Sequence, residues 1–137
     1  NTIRQWSLSS GKLLRTFEGH TSCVRSVAVS LNGASLLSGS DDKTIRQWSL
    51  SSGTLLRTFE GHTSYVYSVA VSMDGASLFS DSSDNTIRQW SLSSGKLLRT
   101  FEGHTSCVRS VAVSLDGASL FSGSSDKTIR QWPLSPA

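Results

Sequence analysis

The string TIRQW occurs four times in 137 residues, ending at Trp6, Trp48, Trp90 and Trp132, always at the same spacing. No other feature constrains the fold as tightly. A nearly identical unit repeated at a fixed spacing makes nearly identical local structures, and these bury their apolar surface against one another. One unit, residues 43–84, reads KTIRQWSLSSGTLLRTFEGHTSYVYSVAVSMDGASLFSDSSD. Three units fill 1–126, and KTIRQWPLSPA begins a fourth.

Within a unit the strand signals are short and evenly spaced. CVRSVAVS is rich in valine. LNG, MDG and LDG follow, and these predict tight two-residue hairpins with both turn residues at positive φ. ASLLSGS makes a second strand, DDK or SDN a turn, TIRQW a third strand, SLSSG a turn and KLLRTF a fourth strand. No helical periodicity competes. The pattern predicts an all-β chain of four-stranded antiparallel meanders. Each such sheet carries apolar residues on both faces and cannot bury them alone. Sheets packed face to face around an axis, a β-propeller, solve that problem.

The residues also resemble a known family, the WD40 repeats, along the whole chain. Gly19-His20, Gly61-His62 and Gly103-His104 precede a first strand, a serine follows in the second, an aspartate in the next turn, and a tryptophan ends the third. The resemblance implies three hydrogen-bonded structural tetrads: His20, Ser38, Asp42 and Trp48; His62, Ser80, Asp84 and Trp90; His104, Ser122, Asp126 and Trp132. Two departures stand out. Ser7, Ser49, Ser91 and Pro133 occupy the place of the family's second signature letter, and Gln5, Gln47, Gln89 and Gln131 precede each tryptophan. Both predict looser packing between blades.

Serine, histidine and aspartate also spell a hydrolase triad. A triad needs an exposed nucleophile and an oxyanion hole, whereas here the set recurs three times with a tryptophan attached. One histidine per repeat has no metal-ligand spacing, and SGSDDK lacks the register of a phosphate-binding loop. The expectation is no catalytic residue, no metal and no cofactor. A net charge of +3 with 17% charged residues is too mild for a polybasic nucleic-acid tail. No apolar run is long enough to span a membrane. No secretory leader is evident and the first residue is not Met, which reads as a processed product or an excerpt. With only Cys23 and Cys107, and two blades between them, free thiols and an intracellular, cytoplasmic setting are expected.

Nine columns of the repeat differ among the three copies. Three of them share one sheet edge: Cys23, Arg25 and Asp41 in the first copy, Tyr65, Tyr67 and Ser83 in the second, Cys107, Arg109 and Ser125 in the third. In WD40 proteins these positions lie on the top rim and often bind partners. The resemblance thus implies a non-catalytic scaffold holding a protein or peptide at its rim. The alternative is a nucleic acid or other anionic ligand on the arginines, with the tyrosines stacking.

The phase of the repeat divides the chain into 1–18, the third and fourth strands of a split blade, then blades 23–59 and 65–101, and 107–132, a blade lacking its fourth strand. Three blades are too few for a ring, since propellers have four to eight. Two solutions are expected: a head-to-tail homo-oligomer, six blades as a dimer or nine as a trimer, or further repeats of a longer parent chain. In the first, strands 2–6 and 128–132 compete for one slot.

Overall fold

The computed structural model describes residues 1–134, as strands joined by turns. In chain order the strands are β1 (Ile3–Trp6), β2 (Leu13–Phe17), β3 (Val24–Val29), β4 (Ser35–Ser40), β5 (Ile45–Ser49), β6 (Leu55–Phe59), β7 (Val66–Val71), β8 (Ser77–Ser82), β9 (Ile87–Ser91), β10 (Leu97–Phe101), β11 (Val108–Val113), β12 (Ser119–Ser124) and β13 (Ile129–Pro133). They form antiparallel sheets with neighbours in chain order: β1-β2, β3-β4-β5-β6, β7-β8-β9-β10 and β11-β12-β13. Among the described residues β13 has no further strand beside it. Pro136 lies outside the described residues.

Successive sheets pack face to face through apolar seams. Alternation along a strand sends side chains to both faces, and the middle strands β4 and β8 are buried on both. In the first seam Ile3 and Phe17 meet Leu36 and Trp48. In the second Leu37, Ile45 and Phe59 meet Val66, Val69, Leu78 and Trp90. In the third Phe79, Ile87 and Phe101 meet Val108 and Leu120. Each large side chain removed from water contributes about 1.5–3 kcal/mol. At the outer edge an arginine from each fourth strand crosses the seam. Arg15 donates to the carbonyls of Leu50 (2.8 Å) and Ser51 (3.2 Å), and Arg57 to those of Leu92 (3.1 Å) and Ser93 (3.4 Å).

The inner hairpins correct one expectation. They are not two-residue turns with two residues at positive φ. Of the Asn32-Gly33 pair only Gly33 is left-handed, at φ 72°. The Gly33 amide donates to the Ser30 carbonyl (2.9 Å), and the Ser30 amide to the Ser35 carbonyl (2.9 Å). This is a wider loop built on an ordinary turn that ends in a left-handed glycine. Asn32 contributes its side chain instead, accepting from the Ser30 hydroxyl (2.7 Å) and the Ala34 amide (3.0 Å). Asp74 and Asp116 do the same in the later copies.

The two departures from the family pattern find partners within each blade. Gln47, Gln89 and Gln131 donate to Ser35, Ser77 and Ser119 across the neighbouring strand, at 3.1, 3.0 and 3.0 Å. The Ser49 hydroxyl accepts from the Ser52 amide (3.3 Å) in the following turn. Trp48 and Trp90 are both buried between these residues.

Candidate functional site

Two layers meet near the edge where each first strand begins: a buried polar chain and an exposed rim above it. In the first blade the chain starts at Gly19, whose φ of 152° favours glycine and where a Cβ would press on the Trp48 ring and the end of Arg46. The bend delivers His20 into the sheet. Its Nδ1 donates to Asp42 Oδ2 (2.7 Å), its Nε2 lies 2.6 Å from the Ser38 hydroxyl, and the Trp48 indole donates to that hydroxyl at 2.9 Å. The same contacts measure 2.8, 2.7 and 2.9 Å at His62, Ser80, Asp84 and Trp90. They are 2.7, 2.7 and 2.8 Å at His104, Ser122, Asp126 and Trp132. Every buried polar atom of these side chains has a partner, as desolvation demands.

A fifth member escaped the sequence reading. Thr44, Thr86 and Thr128, the first letter of TIRQW, each donate both hydroxyl and amide to the tetrad aspartate. Its sequence signal was the Asp-x-Thr spacing, which suits a side-chain-capped turn. The intervening Lys43, Asn85 and Lys127 are left-handed, with φ 73–74°.

The electrostatics follow from this wiring. Burial pulls His20 below its ordinary value and outweighs the pull of Asp42, so the imidazole is neutral at pH 7. Burial works to raise Asp42 and Asp84, but the hydrogen bonds from threonine and histidine outweigh it, and both carboxyls sit below the usual range. Asp126 is lowered chiefly by its bond from Thr128. The serine hydroxyls are buried, committed to histidine and loaded by an indole donor. Nothing in the arrangement offers an exposed nucleophile beside a free base.

Above the tetrads a β-bulge interrupts each first strand, between Val24 and Ser26, Val66 and Ser68, and Val108 and Ser110. The extra residue is Arg25, Tyr67 or Arg109, and a bulge re-aims such a side chain. The variable turn residue is tied beside it: the amides of Asp41, Ser83 and Ser125 donate to the carbonyls of Cys23, Tyr65 and Cys107, at 2.8, 3.0 and 2.9 Å. All nine sequence-predicted rim residues therefore share one edge.

The three rim sites differ in kind. Arg25 forms a fork with Asp41, Nε to Oδ1 at 2.8 Å and Nη2 to Oδ2 at 2.7 Å, and each partner strengthens the other's charge. Ser125 replaces that aspartate in the third blade. Arg109 donates Nε to the Ser125 hydroxyl (3.0 Å) and lies over the Tyr67 ring, 4.5 Å from its centroid. Tyr65 meets Tyr67 edge to face at 6.4 Å. Cys23 and Cys107 are free thiols. Two thiols are expected to titrate without reductant, the exposed Cys23 first. A single titratable thiol, or none, contradicts this blade register.

Sequence reasoning passed over Asp81. It stands where the other copies have Gly39 and Gly123, is fully buried, and has no hydrogen-bond partner for either carboxylate oxygen. Burial pushes its pKa up to about 8, against the weaker opposing pull of the nearby Ser68 hydroxyl and amide, which fall short of a hydrogen bond to it, and of Arg109. The two-copies-to-one glycine pattern was the available signal. Among the described residues no cluster of three potential metal ligands occurs, and no helix is long and apolar enough to cross a membrane.

Four-stranded meanders, evenly repeated seams and three His–Ser–Asp–Trp chains define the architecture. A family profile described as WD domain, G-beta repeat matches residues 11–49, 53–91 and 95–133. The chain belongs to the WD40 repeat family. Comparison with curated proteins found no match. WD40 repeats are typically non-catalytic and generally serve as protein-interaction scaffolds. The tetrads here have the geometry of that structural role, and the three rim columns are among the nine that vary between the copies.

Proposed function

We propose that this chain is a non-catalytic interaction module that binds a protein or peptide at the rim, centred on Tyr65, Tyr67 and Arg109. One observation carries the reading. The blades repeat nearly letter for letter in their seams and tetrads, yet all three rim columns change, and they place an arginine over a tyrosine across a blade boundary. Tyrosine and arginine are the residues that most often anchor protein interfaces. Arg25 is already paired with Asp41, whereas Arg109 faces a serine. The preferred peptide carries an acidic side chain for Arg109 and an apolar group for the tyrosines. Two free thiols, one exposed, favour a reducing, intracellular setting.

The test is selection of peptides from a random display library, with the contact surface mapped by NMR shift changes. Selected peptides are expected to carry Asp or Glu and to perturb Arg109, Tyr65 and Tyr67. Peptides that map away from the rim contradict the reading. The nucleic-acid alternative has less support, because Asp41 neutralises one of the two rim arginines and few cations remain. It requires retention on heparin or DNA resin that falls steeply with salt.

A further inference from the structure

Resting on the peptide-binding role given above to the rim, we propose that Asp81 positions Arg109 and thereby sets whether the rim accepts an acidic side chain. While Asp81 is neutral the guanidinium stays on the rim for the ligand; once Asp81 ionises, the buried carboxylate draws it away. Asp81 lies on β8, in the seam between the second and third blades. Its partner across the ladder is Ser68 of β7, the residue after Tyr67. At Gly39, its counterpart one repeat earlier, a Cβ would stand 2.8 Å from Val66 and 3.3 Å from Val69 of the following blade. One repeat later those places belong to Val108 and Val111, and Arg109 follows directly on Val108. Arg109 crosses the same boundary above, 4.5 Å over the Tyr67 ring. The carboxyl and the arginine–tyrosine pair thus share one blade boundary, one inside it and the other on its rim.

The first copy supplies the contrast. There the seam position is Gly39, and Arg25 is forked on the rim to Asp41. In the second copy a serine, Ser83, stands at that turn position, and the carboxyl stands two residues earlier, in the seam. The third copy has a serine at the turn as well, so Arg109 has only the Ser125 hydroxyl beside it, 3.0 Å from its Nε. Arg25 thus carries its counter-ion on the rim, whereas the carboxyl that acts on Arg109 is buried, with neither oxygen hydrogen-bonded.

A fully buried carboxyl without partners holds its proton, and burial raises its pKa to about 8. Ionising it calls for a cation. Of the ionisable groups around it, Arg109 attracts the charge and Asp84 in the following turn repels it. Tyr67 on β7 and Cys107, whose thiol lies 3.9 Å from the Ser83 carbonyl, carry no positive charge. Arg88 on β9 pairs with Ser80 and so turns to the opposite face of the sheet. Among the described residues, Arg109 is therefore the cation that answers an ionised Asp81. An acidic ligand and the ionised Asp81 compete for this one guanidinium. Ligand binding then favours the protonated carboxyl, and by reciprocity the protonated carboxyl favours the ligand. Affinity for an acidic peptide is full below about pH 8 and falls as pH rises through it.

The experiment follows the free protein by NMR from about pH 6.5 to about pH 9, on either side of the Asp81 titration. Peptide affinity is then measured by fluorescence anisotropy over the same range at constant ionic strength. In the wild type the Arg109 Nε–H and Tyr67 ring signals are expected to shift together with the Asp81 carboxyl, near pH 8, and in Asp81→Asn to stay still there. A display-selected acidic peptide is expected to bind the wild type at least about fivefold more weakly at the upper end of the range than at the lower, the scale of one unit charge acting across several ångströms. Its binding to Asp81→Asn is expected to be level, as is wild-type binding of the same peptide with alanine in place of its acidic residue. If Asp81→Asn does not fold, Asp81→Gly, which carries the residue of the other two copies, takes its place. Arg109 and Tyr67 signals that ignore the Asp81 titration overturn the proposal whether or not a peptide binds. An affinity that falls equally in wild type and Asp81→Asn also overturns it, and assigns the effect to Cys107 or another titrating group. Signals that follow Asp81, together with peptides that map away from the rim, uphold the positioning of Arg109 and overturn the peptide-binding role instead.

Discussion

Replacing Asp81 with glycine is expected to stabilise the protein at pH 7 by about 2–4 kcal/mol and to flatten its pH dependence. The reasoning begins with two copies of the repeat that carry glycine at this place and one that carries a buried carboxyl without a hydrogen-bond partner. At Gly39 an added Cβ would come within 2.8 Å of Val66, so the site is built for a residue without a side chain. Burial raises the Asp81 pKa from its ordinary 3.8 to about 8. Below about pH 4 the group is protonated in both folded and unfolded chains and costs no ionisation energy. Between about pH 4 and 8 the unfolded chain releases a proton that the folded one keeps, and stability falls as pH rises. Above about pH 8 both are ionised and the loss is complete.

The tetrad aspartates act with the opposite sign. Asp42, Asp84 and Asp126 are lowered on folding, so their contribution is present above about pH 4 and lost as pH falls. His20, lowered on folding, adds stability that is lost as pH falls below about 6.5 and so opposes Asp81 there, and the wild type declines most clearly from about pH 6.5 to 8. Asp81→Gly and Asp81→Asn hold level from about pH 6.5 to 8. Urea unfolding at several pH values measures this. A wild type whose stability does not fall across that interval contradicts the account of Asp81.

Removing a tetrad histidine is the second large effect. His62→Ala is expected to lower stability by about 1–3 kcal/mol, because it strips Asp84 of a donor and the Ser80 hydroxyl of its partner inside a sealed site. His104→Ala is expected to cost less. Trp132 lies at an open face and is only half buried, whereas Trp90 is 2% exposed, so water can reach the broken chain. Thermal denaturation of the two variants side by side checks the order. Equal melting temperatures in His62→Ala and wild type would remove the structural role.

Much of this architecture is readable from the letters, because a near-identical repeat forces every local signal to appear three times. Val24, Val66 and Val108, or Trp48, Trp90 and Trp132, can be aligned by eye, and their common role follows. What stays hidden depends on backbone detail or on a single copy. The bulge that turns out Arg25, Tyr67 and Arg109 inserts one unpaired residue without any glycine or proline to announce it. The Asn-Gly and Asp-Gly pairs suggested the wrong turn, since their side chains accept hydrogen bonds as readily as their backbones turn left-handed. Asp81 stands out in the sequence only as a non-conservative departure from Gly39 and Gly123, and its burial gives it consequence. The unequal state of Arg25 and Arg109 arises from Asp41 against Ser125, a pairing set by where the turn and the bulge meet.

If the seams carry the fold and the rim carries the function, the two must separate on substitution. The most direct measurement converts the second rim site into the first, by Tyr65→Cys, Tyr67→Arg and Ser83→Asp together. Calorimetric affinity for the display-selected peptides is then compared with the melting temperature. The expected result is a melting temperature within a few degrees of wild type and peptide affinity at least about tenfold weaker, the scale of losing interface anchors. Unchanged affinity in the converted protein would contradict the assignment of function to the rim.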